Sequence, residues 1–368
     1  MLKKILFLLL VFSFTRLFGQ EKYRGLPVVQ ADSPVAGFRV NDIWYQNAWN
    51  IVPSVPLDSL KITCYFNHQT FTFITDKDSI SFFLKPGDER RFYVKWKDQY
   101  ALTLVKAMPL KKREPLVFDS LRHQDFHFCY LDSLSPYLDS LRKSFRLDTL
   151  VAGVSNEKQK VLNVLHWVHT RWKHNGNNVP DKQDAISILN EAKRGKNFRC
   201  VEYGVVLSES LKALGFKARV LGLKTKDVET RQYGAGHVVT EVFLNDRHKW
   251  VFVDAQWDVM PVLDGIPLNG VEFQRAIALN LNRLTLASGS NVNKYFYTEW
   301  VFPYLFYFDT SFGQSGKECA VDGKTSLMLV PKGAKNPTVF QIKYPMNDYL
   351  YTHSVMDFYL APSTLKNQ

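Results

Sequence analysis

Between Cys200 and Asp254 the chain passes from a helical period to a succession of strand periods, which restricts its fold more than any other feature. Tyr203, Val206, Leu207, Ser210, Leu211 and Leu214 share one helical face, and Gly215 supplies the left-handed residue that ends a helix. Phe216 to Leu221 then alternates as a strand. A polar loop, Lys224 to Tyr233, leads to Gly234-Ala-Gly-His237, where the glycines let the backbone pass close to a site or through a tight turn. Val238 to Leu244 and Lys249 to Val253 are two further β runs around Asn245-Asp-Arg-His248, a hairpin signal.

The hairpin makes a geometric prediction. With the turn centred between Asn245 and Asp246, opposed residues have numbers summing to 491, as 237 and 254 do. A four-residue loop makes the sum 493 and sets the two diagonally. Either way the side-chain period of 2 puts His237 and Asp254 on one face, so an imidazole is held beside a carboxylate. Cys200 stands where the preceding helix begins. There the positive end of the dipole and unpaired backbone N–H groups favour the thiolate, and the same N–H groups can contribute to an oxyanion hole. Cys200 as nucleophile, His237 as base and Asp254 as its orienter are the parts of nucleophilic acyl transfer.

Four segments resemble the transglutaminase-like superfamily in its exported bacterial form: Phe198-Arg-Cys-Val-Glu-Tyr-Gly204, Leu214-Gly-Phe-Lys-Ala-Arg-Val220, Gly236-His-Val-Val-Thr-Glu-Val242 and Trp250-Val-Phe-Val-Asp254. The resemblance covers roughly a third of the chain and implies an α+β papain-like core, with Cys at a helix N-terminus, His on a strand and Asp on the neighbouring strand. Arg199 stands where members often have Gly or Trp, and Ala255-Gln256 where they have Pro-Thr. For the second oxyanion donor the first candidate is the Trp172 indole, followed by Gln256 or an Asn among Asn175, Asn177 and Asn178.

Each of these residues also has a plainer reading. Cys200 alone would be a buried structural thiol, His237 a satisfied sheet histidine and Asp254 a turn residue. Glu241 shares the His237 face and reads as a solvated strand residue. His166 and His169, at i,i+3 and followed by His174, raise a metal reading, but neither HExxH nor paired CxxC spacing is present. No metal or cofactor is expected, and no glycine-rich phosphate loop occurs.

The flanks are less explicit. Lys61–Phe66, Thr70–Ile74, Ile80–Leu84 and Arg91–Trp96 read as short strands separated by Asp76-Lys-Asp78 and Pro86-Gly-Asp88, predicting a sandwich-like module over residues 20–130. Ser135-Pro136 opens a helix, a second runs from about Glu157 to Trp172, and a third opens at Asp181 and stops at Gly195. The catalytic core is expected over 131–280. The aromatic-rich stretch from about Asn293, which has no clean period, belongs to a C-terminal extension (281–368) packing on that core.

Lys3 and Lys4 before the apolar run Ile5–Phe14, with Leu17-Phe-Gly19 after it, predict a signal peptide over residues 1–19 and a periplasmic or extracellular protein. Losing Lys3, Lys4 and Arg16 lowers the formal charge from +12 to +9. The remaining Lys and Arg are dispersed, so nucleic acid is not an expected partner, nor is stable membrane insertion after cleavage. Of the four cysteines, Cys64, Cys129 and Cys319 are left with no assigned pairing once Cys200 is reserved. The expected activity is that of an exported cysteine protease or amidase, or a transglutaminase-like acyltransferase, on a protein or peptide substrate. The alternative is a non-catalytic envelope binding or scaffold protein on the same fold.

Overall fold

A computed structural model describes residues 21–41, 43–53, 58–65, 68–129, 135–313 and 319–362. The expected signal peptide lies outside the described residues. The chain forms two compact units, 1–111 and 112–368, so the division falls some twenty residues before the boundary expected at 130.

In the first unit alternating sequences bury every second side chain. Phe71 and Phe73 point inward from Gln69–Ile74, and Ile80 and Leu84 from Ser79–Leu84. These strands belong to a four-stranded sheet with Val35–Val40 and Ile43–Asn50, and a five-stranded sheet contains Leu26–Ala31, Glu89–Trp96 and Gln99–Pro109. One apolar core is shared by both sheets, with the Phe73 and Phe92 rings 5.0 Å apart.

The second unit is built on a six-stranded sheet in the order Lys249–Val253, Gly236–Leu244, Lys217–Lys224, Tyr307–Ser311, Ser326–Leu329, Tyr349–Thr352. Three of its six strands come from residues 307–352, which are therefore part of the core sheet as well as packed around it. The helices Pro136–Ser144, Glu157–His169, Ala185–Lys193 and Cys200–Ala213 share one hydrophobic core with Ala218, Val242 and Val251 of the sheet. A second core gathers Leu221, Leu223, Val239 and Phe252 with Phe273, Tyr297 and Phe308. Ser135 caps the first helix as its sequence suggests. The third starts at Ala185, not Asp181, because the Asp184 carboxylate takes the Ser187 N–H at 2.8 Å and is the better cap.

The hairpin adopts the four-residue loop. Thr240 faces Val253 and Leu244 faces Lys249, the register that sums to 493, and His248 closes the turn in a left-handed conformation (φ 48°). Gly215 (φ 90°) ends the Cys200 helix, and the Phe216 N–H returns to the Leu211 carbonyl. Cys129 and Cys319 form a disulfide, while Cys64 and Cys200 are free thiols.

Glu241 is not solvated. It is fully buried against Arg219, whose guanidinium donates to it at 2.7 and 3.1 Å. Gly270 N–H and Tyr359 O–H complete its shell at 3.1 and 3.0 Å. The guanidinium also lies over the Trp250 and Phe358 rings and donates to the Phe358 carbonyl, tying the C-terminal segment to the sheet. Glu241→Ala leaves a buried cation unpaired, and an expected loss of about 3–5 kcal/mol is measurable by urea unfolding. A loss below about 1 kcal/mol would mean that water reaches Arg219.

Candidate active site

Cys200 is the first residue of its helix, held there by local bonds. Arg199 N–H donates to the Glu202 carboxylate at 3.1 Å, and the Arg199 guanidinium bonds the same carboxylate at 2.6 and 3.2 Å. Arginine has no acceptor to return, so the cap is one-sided. Glu202 itself is buried, and Gln183 donates to it at 3.3 Å. This buried ion pair fixes where the helix begins, and so where the thiol stands.

His237 lies at the start of its strand and is buried. Its Nε2 is 2.8 Å from Asp254 Oδ2, and Cys200 lies close enough to the same imidazole to raise its pKa. Burial pulls the His237 pKa down, but the Asp254 charge and hydrogen bond, with the Cys200 contact, outweigh it and raise it to about 10. The site therefore favours imidazolium. His174 lies close enough to interact with His237 and Asp254; burial first, then the His237 charge, push its pKa down and keep it neutral.

The Asp254 carboxylate has no solvent exposure and four donors. Oδ2 takes His237 and the Tyr297 hydroxyl, each at 2.8 Å, and Oδ1 takes the backbone N–H groups of Gln256 at 3.0 Å and Trp257 at 3.3 Å. Burial and the Asp254 charge push Tyr297 well above the ordinary phenol range, so it stays a donor. The backbone turns back at once, with Asp254 and Val259 exchanging hydrogen bonds at 2.8 and 3.0 Å.

Two histidines hold this turn from outside. His169 Nδ1 meets the Ala255 carbonyl at 3.1 Å, and His166 Nδ1 meets the buried Asp258 carboxylate at 2.8 Å. Asp258 is left-handed (φ 57°) and also accepts from Ser290 at 2.8 Å. Gly289 leaves room for the His166 ring, which a Cβ there would approach to 2.5 Å. The pair that raised a metal reading thus packs against the turn after Asp254.

Aromatic residues of the C-terminal region, which carried no role in the sequence, enclose the pair. Trp300 meets the His237 ring edge-on at 4.9 Å, Tyr304 lies at 6.0 Å, and Trp257 joins Trp300 at 5.1 Å. Only their density from Tyr295 to Phe308 could have signalled this; Tyr297 is one of many tyrosines. Trp172, just beyond the end of its helix at His169, stacks on Tyr203 at 4.4 Å, and its indole N–H is buried with no partner among the described residues. Gln256 is half-buried beside Asp254. Asn175 and Asn178 hold their own loop: the Asn175 carbonyl oxygen accepts the Asn177 and Asn178 N–H groups, and the Asn178 amide donates to Asn197.

The raised His237 pKa has a consequence for stability. Its unfolded value is about 6.5, so the contribution of the His237–Asp254 pair is full below that pH and is lost as pH rises toward about 10. Amide hydrogen exchange of strand Gly236–Leu244 should show protection falling across that window, and His237→Gln should remove that part of the slope. A flat wild-type profile would contradict it.

Residues 146–255 match the family model of the transglutaminase-like superfamily. No curated protein matches the chain in sequence. Similar solved structures include a Cytophaga hutchinsonii protein with a provisional cysteine-protease assignment, at 14% identity and TM-score 0.28, covering 56% of this chain and 73% of that one. Red sea bream transglutaminase is similar at 12% identity and TM-score 0.29, over 64% of this chain and 43% of the fish enzyme. The periplasmic domain of TgpA from Pseudomonas aeruginosa, bound to ethylmercury, is similar at 15% identity and TM-score 0.25, over 62% and 85%. At these values none assigns a role to any residue here. Among the described residues no helix is long and apolar enough to cross a membrane.

Proposed function

We propose that the transglutaminase-like segment, residues 146–255, is the centre of an exported cysteine-dependent acyl-transfer enzyme acting on amide bonds of a protein or peptide. The observation that carries this reading is one imidazole bonded to a fully buried carboxylate at 2.8 Å, with a helix-terminal thiol on the same cleft. In the proposed cycle the Cys200 thiolate attacks the amide carbonyl and the His237 imidazolium gives its proton to the leaving amine. The C–N bond breaks and a thioester remains. Water or a second amine then loses a proton to His237 and takes the acyl group, which separates hydrolysis from transamidation. Asp254 keeps Nε2 protonated and the ring turned so that Nδ1 meets the sulfur.

The Trp172 indole is our first oxyanion donor; its N–H, like that of Trp257, is buried with no partner among the described residues. Backbone N–H groups at the start of the Cys200 helix supply the other, with Gln256 the runner-up. The Cys129–Cys319 disulfide suits an oxidising compartment, in keeping with the signal-like residues 1–19. The sandwich-like module of residues 20–130 is assigned a packing or binding role.

Iodoacetamide alkylation of Cys200, followed across pH by peptide mass spectrometry, tests the centre. The rate should hold well into acid in wild type and collapse to an ordinary thiol profile in His237→Ala. An ordinary profile in both would overturn the reading. On an amide substrate, Cys200→Ala should abolish turnover with the fold intact. Trp172→Phe should lower kcat by about 10²–10³-fold with little change in KM; an unchanged kcat would remove Trp172 from the mechanism.

A further inference from the structure

Cys200 and His237 open onto a cleft of about 1080 Å³ whose far wall includes Phe340, Tyr344 and Met346. Phe340 and Tyr344 face each other across a small hairpin, Val339–Phe340 with Tyr344–Pro345, and three residues form its tip. Two of them, Gln341 (φ 51°) and Ile342 (φ 63°), are left-handed in succession. For a β-branched isoleucine that conformation is a true outlier, and strain of this kind persists only where surrounding bonds impose it.

Those bonds come from the segment leading into His237. Gln341 N–H donates to the Val228 carbonyl at 2.8 Å, Ala235 N–H donates to Gln341 Oε1 at 3.1 Å, and Gln341 Nε2 donates to the Gln232 carbonyl at 3.1 Å. The Phe340 ring then rests on Gly236, where a Cβ would come within 3.1 Å of it. The glycine before His237 is thus what lets this hairpin sit against the site. Ile342 is 56% exposed and Tyr344 52%, and on the tethered segment Tyr233 is 83% exposed.

Several charges in the cleft already have partners within the protein. Lys224 pairs with Asp309, which also accepts from Tyr349, and Glu209 is bonded by Tyr137 and by Ala185 N–H. What remains for a ligand beside Cys200 is largely apolar wall, including Val201, Val205 and Val238.

We infer that the 339–345 hairpin is the substrate-recognition element of this site, and that it selects polypeptides bearing a bulky apolar side chain next to the reacting amide. The inference rests on the acyl-transfer reading above. Phe340 and Tyr344 both line the cleft, so the bonds that hold the hairpin against Gly236 also fix this apolar wall beside His237.

The test uses the full chain and three thiol reagents: iodoacetamide, and two peptidyl chloromethyl ketones that differ only in carrying Leu-Leu or Asp-Asp. Each ketone rate is divided by the iodoacetamide rate. In wild type the Leu-Leu reagent should react at least about tenfold faster than the Asp-Asp reagent, about the discrimination of one hydrophobic pocket. Phe340→Ala with Tyr344→Ser, which removes the two rings that line the cleft, should bring that ratio toward one. A wild-type ratio near one with fast, His237-dependent iodoacetamide labelling overturns the apolar subsite alone. So does a ratio that Phe340→Ala with Tyr344→Ser leaves unmoved. Slow labelling that ignores His237 overturns the acyl-transfer reading, and this inference with it.

Discussion

The Asp254 carboxylate is buried without exposure, and its four hydrogen bonds decide how much else must be built. A carboxylate taken out of water is tolerated only when its lone pairs are met and a countercharge is near. Here the countercharge is the imidazolium it stabilises, and the remaining donors come from the next two backbone N–H groups and from Tyr297. The tight return at Val259, the left-handed Asp258 and the two histidines of helix Glu157–His169 all serve to keep those N–H groups aimed at Oδ1.

Burial of this pair depends on chain far from it in sequence. Trp300 and Tyr304 lie against His237, Tyr297 bonds Asp254, and strands 307–311, 326–329 and 349–352 extend the sheet beyond Lys217–Lys224. Arg219 and Glu241 anchor the last segment through Phe358 and Tyr359. Water kept from the imidazole–carboxylate pair leaves its electrostatics strong, since the same separation in a wet surface site would be screened. The C-terminal third therefore contributes to the environment of the site, a role that the family-matched segment, ending at residue 255, could not fill.

Much of the core was legible because its signals are local. The helical face from Tyr203 to Leu214, its Gly215 stop and the even-length turn Asn245–His248 all act through near neighbours. The turn chose between two registers, and both left His237 and Asp254 on one face because the parity was common to them. Glu241 was misread for a complementary reason: alternation assigns a face but not whether another layer covers it. The aromatic stretch failed for lack of any period, since its residues answer to partners on several elements rather than to one face.

By itself the sequence determined the helix that presents Cys200, the strand pair that carries His237 and Asp254, and the chemistry those three residue types permit. These follow from side-chain period and turn length, which are properties of neighbouring residues. The tertiary structure decided that Nε2 of His237 meets Asp254, that Tyr297 completes the carboxylate, that His166 and His169 pack against the turn after Asp254, and that the Phe340–Tyr344 hairpin lines the cleft. Each of these joins residues tens to hundreds of positions apart. Such contacts are set by packing and by the cost of leaving a buried polar group unpaired, and neither can be read along one stretch of chain.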